Sequence, residues 1–408
     1  MARRGRMKTV FTGLGVMAPN GTSAEAYWSA TLEQRSGISE LERFDASGYP
    51  ARLAGQLRDF KAEQFLSSRL LPQTDRVTRL ALIAADQAIQ DAGVDPKSFD
   101  DFDMSVISSN ATGGFEFTHR EIQKLWTHGP ERVSVYESFA WFNAANTGQI
   151  SIRHGMRGPG SVLVAEQAGG LDAVAHARRV VRSGVSLSVT GGVESSYDPW
   201  GWVSHLATGR ISTVPDPRLA YLPFDEAAAG YVPGEGGAYL ILEEERAAHE
   251  RGAAHVYGEL AGHGSTFDPR PGSGRPPGLA RAIRLALADA RLEAGEIDVV
   301  FADASGVPEW DRAEANAIAE VFGPYGVPVS VPKTLVGRLY AGGGPLDLVC
   351  ALLSLRDGVI PATAHVSDVP EDYRIDLVRG EHRSAPVRTA LVLARGNGGY
   401  NSAMVVRR

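Results

Sequence analysis

The segment Val162-Leu163-Val164-Ala165-Glu166-Gln167-Ala168-Gly169-Gly170-Leu171 reads as an apolar strand, a tight turn and the glycine-paired entry of a helix. Such a unit aims the side chain of residue 167 at the positive end of the helix. That is a place for a nucleophile, because a helix N-terminus stabilises a thiolate or alkoxide and its free N–H groups bind an oxyanion. Residue 167 is glutamine. A carboxamide does not ionise near neutral pH and accepts no acyl group; it only donates and accepts hydrogen bonds. From the spacing alone, a polar residue finishing a turn is the simpler reading.

A second pattern is structural rather than reactive. Phe115, Thr118 and Ile122 recur at i, i+3 and i+7, within an arc of about 60° on a helix. Taken by themselves they form an ordinary core stripe continued by Leu125 and Trp126. The run Glu137-Ser138-Phe139-Ala140-Trp141-Phe142-Asn143-Ala144-Ala145-Asn146 is rich in aromatic and small residues. Its two readings are internal packing and burial against another chain. Cys350, among Leu348, Val349, Ala351 and Leu352, reads as a buried apolar residue, and His205 as a core or solvent histidine. The ten histidines show no metal-ligand spacing. Gly13-Leu14-Gly15 lacks the third glycine and the later acidic partner of a nucleotide loop.

Positioning these residues requires alternating strands and helices. Strands are predicted over residues 9–12, with a turn at Gly13-Leu14-Gly15, and over 104–107, 161–165, 187–190 and 238–242. Thr74 and Asp75 can cap a helix over 76–92 that Gly93 stops. After Glu243-Glu244-Glu245 the pattern starts again, with strands over 255–260, 299–302, 327–331 and 389–393 and an amphipathic helix over 279–292. The Gly/Pro-rich stretch 269–278 reads as an exposed excursion. Ala168-Gly169-Gly170-Leu171-Asp172 and Gly343-Gly344-Pro345-Leu346-Asp347 each open a helix that closes on a basic residue and a glycine, which suggests two related halves. Alternation of this kind makes an α/β protein with largely buried sheets.

The totals narrow the class. Of 408 residues, 43% are hydrophobic and 22% charged, ordinary for a soluble globular protein. A net charge of −7 argues against a general nucleic-acid binder. A single cysteine excludes an internal disulfide framework and fits a reducing, cytoplasmic setting. Residues 1–6 read as a short basic tail rather than a signal peptide. No run is long enough to span a membrane.

Residues 164–173 resemble the active-site segment of β-ketoacyl synthases, in which cysteine stands at the position of Gln167. Three further blocks resemble that family in the same order. Pro223-Phe224-Asp225 with Gly234-Glu235-Gly236-Gly237 looks like its segment before the mid-chain strand. Phe301-Ala302-Asp303-Ala304-Ser305-Gly306 looks like the segment of the first catalytic histidine, with Asp303 in its place. Val331-Pro332-Lys333-Thr334-Leu335-Val336-Gly337-Arg338 looks like that of the second, with Lys333 matching the family lysine and Arg338 replacing the histidine. Gly396-Asn397-Gly398-Gly399-Tyr400-Asn401 is similar to a glycine-rich gating turn without its phenylalanines.

The resemblance runs from about residue 7 to the last residue. It implies a thiolase-like fold: two pseudo-duplicated βαβαβαββ halves, residues 7–245 and 246–408, stacked as an α-β-α-β-α sandwich. Glutamine at the nucleophile with both histidines gone resembles the chain-length factors, the ketosynthase β subunits of type II aromatic polyketide synthases. Asn110-Ala111-Thr112-Gly113-Gly114 and Asp198-Pro199-Trp200-Gly201-Trp202 are similar to that subfamily. Membership implies a heterodimer with a ketosynthase α subunit and no bound cofactor. The complex would use phosphopantetheine thioesters of an acyl carrier protein as substrates. Carried over by position, Phe115, Thr118 and Ile122 should gate a polyketide tunnel, and Trp200 and Gly201 should wall it further along. Residues 137–146 should then lie against the partner.

Ketosynthase chemistry needs a thiolate and two imidazoles. Asp303 supplies an anion where negative charge would develop, and Arg338 stays protonated. Asp303 and Arg338 are therefore expected to fill the vacated site as an ion pair. Two alternatives remain at this point. One is a decarboxylase using Gln167 to make a starter unit from a malonyl group, although enzymes of that kind keep both histidines. The other is a thiolase-fold protein that binds acyl thioesters without a synthase partner.

Overall fold

The computed structural model describes residues 7–270 and 272–408, so the basic tail lies outside the described residues. The first half runs β1 (Thr9–Met17), α1 (Arg76–Asp91), β2 (Met104–Ser109), α2 (Phe115–His128), α3 (Ala145–His154), β3 (Gly160–Leu163), α4 (Gly169–Arg182), β4 (Leu187–Glu194), α5 (Pro199–Ala207) and β5 (Gly236–Glu244). The second runs β6 (Gly258–Phe267), α6 (Leu279–Ala290), β7 (Val299–Phe301), α7 (Pro308–Phe322), β8 (Pro328–Ser330), α8 (Gly343–Asp357), β9 (Asp376–Leu377), β10 (Thr389–Gly396) and β11 (Tyr400–Arg407).

Eleven strands are hydrogen-bonded in the order β9-β8-β7-β10-β11-β6-β1-β5-β4-β2-β3. The order hides a repeat. In the first half β3, β2 and β4 are parallel, and β5 and β1 follow antiparallel. In the second, β8, β7 and β10 are parallel, and β11 and β6 follow antiparallel. Among the described residues the two sets of strands meet only where Val10 and Phe11 pair with Glu259 and Gly258. Each half is thus a βαβαβαββ unit, as the repeated helix entries suggested.

Helices α4 and α8 form the middle layer. They touch strands of both halves and share one apolar cluster with residues of β1, β5, β7, β10 and β11. Helix α8 is buried on every side from Gly343 to Leu355, which is what a helix between two sheets requires. Helix α1 covers the outer face of the first sheet and α6 and α7 that of the second, each with its own cluster. The layers are therefore α-β-α-β-α.

Gly13-Leu14-Gly15 is not a turn. It lies within β1, after a register shift between Phe11 and Gly13. A side chain at Gly13 or Gly15 would run into the backbone of α1 at Ala88 and Ala84. The same device recurs in the second half, where Gly262 and Gly264 of β6 face Ala286, Ala290 and Ala282 of α6. These glycines let a helix seat directly on a strand, and β6 begins at Gly258 and runs on to Phe267, past the end of the strand expected over 255–260. Strand β11, absent from the sequence expectation, closes the second half as a hairpin with β10. Asp75 does cap α1, accepting from Val77 N at 2.8 Å.

Candidate functional site

Strand β3 ends at Leu163, and a single tight turn, Glu166–Ala168, leads into α4. Glu166 takes a positive φ of 48°, a strained conformation for a residue with a side chain. The turn places Gln167 fully inside the molecule, between the entries of α4 and α8. A Cβ on Gly343, the first residue of α8, would overlap the Gln167 carboxamide. Neither the Nε2 nor the Oε1 of Gln167 has a protein hydrogen-bond partner. The elbow is intact; its chemistry is that of an amide.

Asp303 and Arg338 come together beside it. Arg338 Nη1 donates to Asp303 Oδ2 at 2.9 Å, and both side chains are 1% exposed. The pair also clamps the end of β10: Asp303 Oδ1 accepts from Arg395 N at 2.9 Å, and Arg338 Nη2 donates to Arg395 O at 2.6 Å. Glu166 Oε2 accepts from Asn397 N at 2.8 Å and from Gln167 N at 2.9 Å. The glycine-rich turn after β10 is thereby tied down to the elbow and the ion pair at once. Above it lies a cleft of about 450 Å³ lined by Arg210, Trp310 and Tyr400, with Gly396 and Asn397 among its walls.

Further polar groups satisfy the same region. Lys333 Nζ donates to Ala302 O at 2.6 Å and Asp303 O at 3.1 Å, and pairs with Asp347 Oδ2 at 2.5 Å. Glu314 of α7 accepts from Asp303 N at 2.7 Å and Ala304 N at 2.8 Å. Burial pushes the Asp347 carboxyl up to about 6, against the pull of Lys333, and also raises Glu166 and Glu314. Burial alone would lower Arg338, yet the Asp303 and Glu166 carboxylates drive it upward, so it stays a cation. A protonated arginine is no general base.

Glu166, Glu314, Asp347 and Arg395 escape a sequence reading of the site. Asp347 alone carries a signal, as the last residue of the second helix-entry repeat. His205 is buried, between Ser196 Oγ at 2.9 Å and the Tyr340 hydroxyl at 3.0 Å, and burial pushes it down to about 4. Cys350 is buried in the middle layer. Among the described residues no cluster of metal-ligating side chains occurs, and no helix is long and apolar enough to cross a membrane.

The second candidate surface is formed by α2 and α5. Phe117 and Glu121 are the residues of α2 that turn inward, while Phe115, Thr118 and Ile122 are half-buried. Leu125 and Trp126 are 41% and 82% exposed, so the expected core stripe does not continue into the core of this chain. Phe115 meets Trp200 of α5 with ring centroids 4.8 Å apart. Gly201 is buried behind Trp200, where a Cβ would lie 2.8 Å from Asp198 Oδ1. The run 137–146 divides: Ala140 and Asn146 are buried, while Trp141 and Phe142 stand about half exposed. Ile152 and Val164 are exposed nearby in sequence, flanking β3, which is an edge of the sheet.

The profile of the β-ketoacyl synthase N-terminal domain matches residues 8–248, and that of the β-ketoacyl synthase C-terminal domain matches residues 257–367. The chain belongs to the β-ketoacyl synthase family. It is 66% identical to a β-ketoacyl synthase 2 of the actinorhodin polyketide from Streptomyces coelicolor, over 98% of this chain and 99% of that one. It is 59% identical to the tetracenomycin polyketide synthase ketoacyl synthase beta subunit of Streptomyces glaucescens, over 98% of each. Among solved structures, the ishigamide ketosynthase/chain length factor superposes with a TM-score of 0.91 at 25% identity, over 99% of each chain. A type II polyketide synthase acyl carrier protein in complex with its hexaketide-bound ketosynthase superposes with a TM-score of 0.88 at 26% identity, over 99% of this chain and 100% of that one. Within the synthase frame, this chain keeps the elbow, the lysine at 333 and the glycine-rich turn. It carries glutamine, aspartate and arginine where the resemblance expects cysteine and two histidines.

Proposed function

We propose that this chain is the chain-length factor of a type II polyketide synthase, a cytoplasmic subunit that pairs with a ketosynthase α subunit and does no acyl transfer itself. The observation that carries this reading is the buried Asp303–Arg338 pair. It supplies charge compensation and chain closure where a synthase needs proton transfer and oxyanion binding, next to a glutamine that holds no acyl group. The names of its relatives, a synthase beta subunit and a ketosynthase/chain length factor, agree with it.

The function then lies in shape. Half-buried Phe115, Thr118 and Ile122 on α2, with Trp200 on α5, form one wall of a tunnel that the partner completes. Carrier-bound poly-β-ketone grows into it from the partner's thiolate. Overfilling packed space costs roughly 1–3 kcal/mol, so a bulky wall residue decides where the chain stops. Ile122 leaves more room than an aromatic residue would.

The test is reconstitution with an acyl carrier protein: this chain alone, the ketosynthase α subunit alone, and the pair. Polyketide appears only with the pair, and this chain alone neither condenses nor decarboxylates malonyl-carrier. Ile122→Phe in the pair shortens the product. Malonyl decarboxylation by the isolated chain, or an unchanged product length with Ile122→Phe, contradicts the reading.

A further inference from the structure

Asp198 is the last residue before α5, and its carboxylate does two jobs. Oδ2 accepts from Trp200 N at 3.1 Å and Oδ1 from Gly201 N at 3.2 Å, which caps α5. The same Oδ2 lies 2.6 Å from Nδ1 of His119, which follows Thr118 on α2. The His119 side chain is 21% exposed and that of Asp198 6%, so the bridge is shielded from solvent, where a polar contact counts for more than on an open surface. At Gly201 the turn packs so closely that a Cβ would run into Asp198 Oδ1 and Ser196 O, so only glycine lets Asp198 reach the N–H of residue 201. One carboxylate therefore pins the helix that carries Trp200 and draws in the helix that carries Phe115, whose rings stand 4.8 Å apart.

We propose that His119 and Asp198 are a positioning pair that fixes the spacing of the two helices, α2 and α5, that make this chain's wall of the tunnel, and so the length of the product. This inference rests on the tunnel reading above. Neither side chain touches the growing polyketide in this account. They act through Phe115, Thr118 and Trp200. Without the bridge α2 can shift away from α5, the gate loosens, and elongation stops at more than one length.

The experiment measures the product-length distribution of the reconstituted pair for His119→Leu, Asp198→Ser and the double variant. Serine caps a helix as well as aspartate but is too short to reach His119. Each single variant should lower the ratio of the dominant product to the other lengths, roughly two- to tenfold, and the double variant should add little to either. His119→Asn, whose amide nitrogen falls near the place of Nδ1, should restore the wild-type ratio. A purely structural role would move stability without this rescue. If His119→Leu fails to assemble with the partner, His119→Ser replaces it. Ile122→Phe is the control that separates the two ideas. If it shortens the product while the bridge variants leave the distribution unchanged, or if the double variant is simply additive, the positioning role is overturned and the tunnel stands. If Ile122→Phe also changes nothing, the tunnel reading itself has failed.

Discussion

A carboxylate and a guanidinium buried together are stable only as a couple, and Asp303 and Arg338 show why. Each is also held by a hydrogen bond to the backbone of Arg395. Removing one partner from such a pair strands the other charge in a poor solvent for it, at about 3–5 kcal/mol. Arg338→Met should therefore destabilise the chain by about that amount in urea unfolding. Asp303→Asn added to it should restore most of the loss, because the amide oxygen still accepts from Arg395 N and no charge is left behind. Equal stability of the single and double variants would show that the charge itself does not matter. At this scale the sequence is informative: glutamine, aspartate and arginine are defined by what they cannot do, wherever they sit. Glu166 is not legible, because it ties in Asn397 from far along the chain, and Glu314 is not, because nothing local marks a carboxylate that folding will bury against the amides of the preceding loop.

The element that matters most is α2, whose entry is held from two sides by buried carboxylates. Asp75, the cap of α1, also accepts from Phe117 N at 2.7 Å. Glu194, the last residue of β4, accepts from the Ala111 amide, from Thr112 Oγ1 at 2.6 Å and from Thr112 N at 3.3 Å. Burial pushes both acids up to about 7. The sign follows from proton counting. Between the ordinary value of 4.5 and about 7, Glu194 keeps a proton in the folded chain that the unfolded chain releases, so its contribution to stability falls as pH rises across that window. Glu194→Gln removes the titration. Its stability relative to wild type should climb with pH over the window, by about 3 kcal/mol, and level off above it. Parallel stability curves would contradict the burial of an acid at this position. The helix itself is readable from its period, but which stripe faces the core is not: Phe117 and Glu121 turn inward, and the more regular apolar stripe turns out. The glycines of β1 mislead in the same way, since close packing against a helix and a turn both call for glycine.

Across the whole molecule, the doubling of a βαβαβαββ unit is legible from the repeated helix entries, because capping and close approach impose the same residues twice. What another chain covers is not legible, since periodicity reports burial without saying who provides it. On the reading proposed above, the partner would cover the exposed apolar residues Ile152 and Val164 beside the edge strand β3. Ile152→Asp or Val164→Asp should weaken pairing with the ketosynthase α subunit by more than tenfold while leaving the unfolding of the isolated chain nearly unchanged. Wild-type affinity in both variants would move the interface elsewhere. The central claim is that this subunit shapes a cavity and never carries the chain. Intact-mass spectrometry of the pair, quenched during turnover with malonyl-carrier, tests it most directly. The account predicts acyl adducts on the ketosynthase α subunit and an unmodified mass for this one; a covalent acyl group mapped to this chain, at Gln167 or anywhere else, would contradict it.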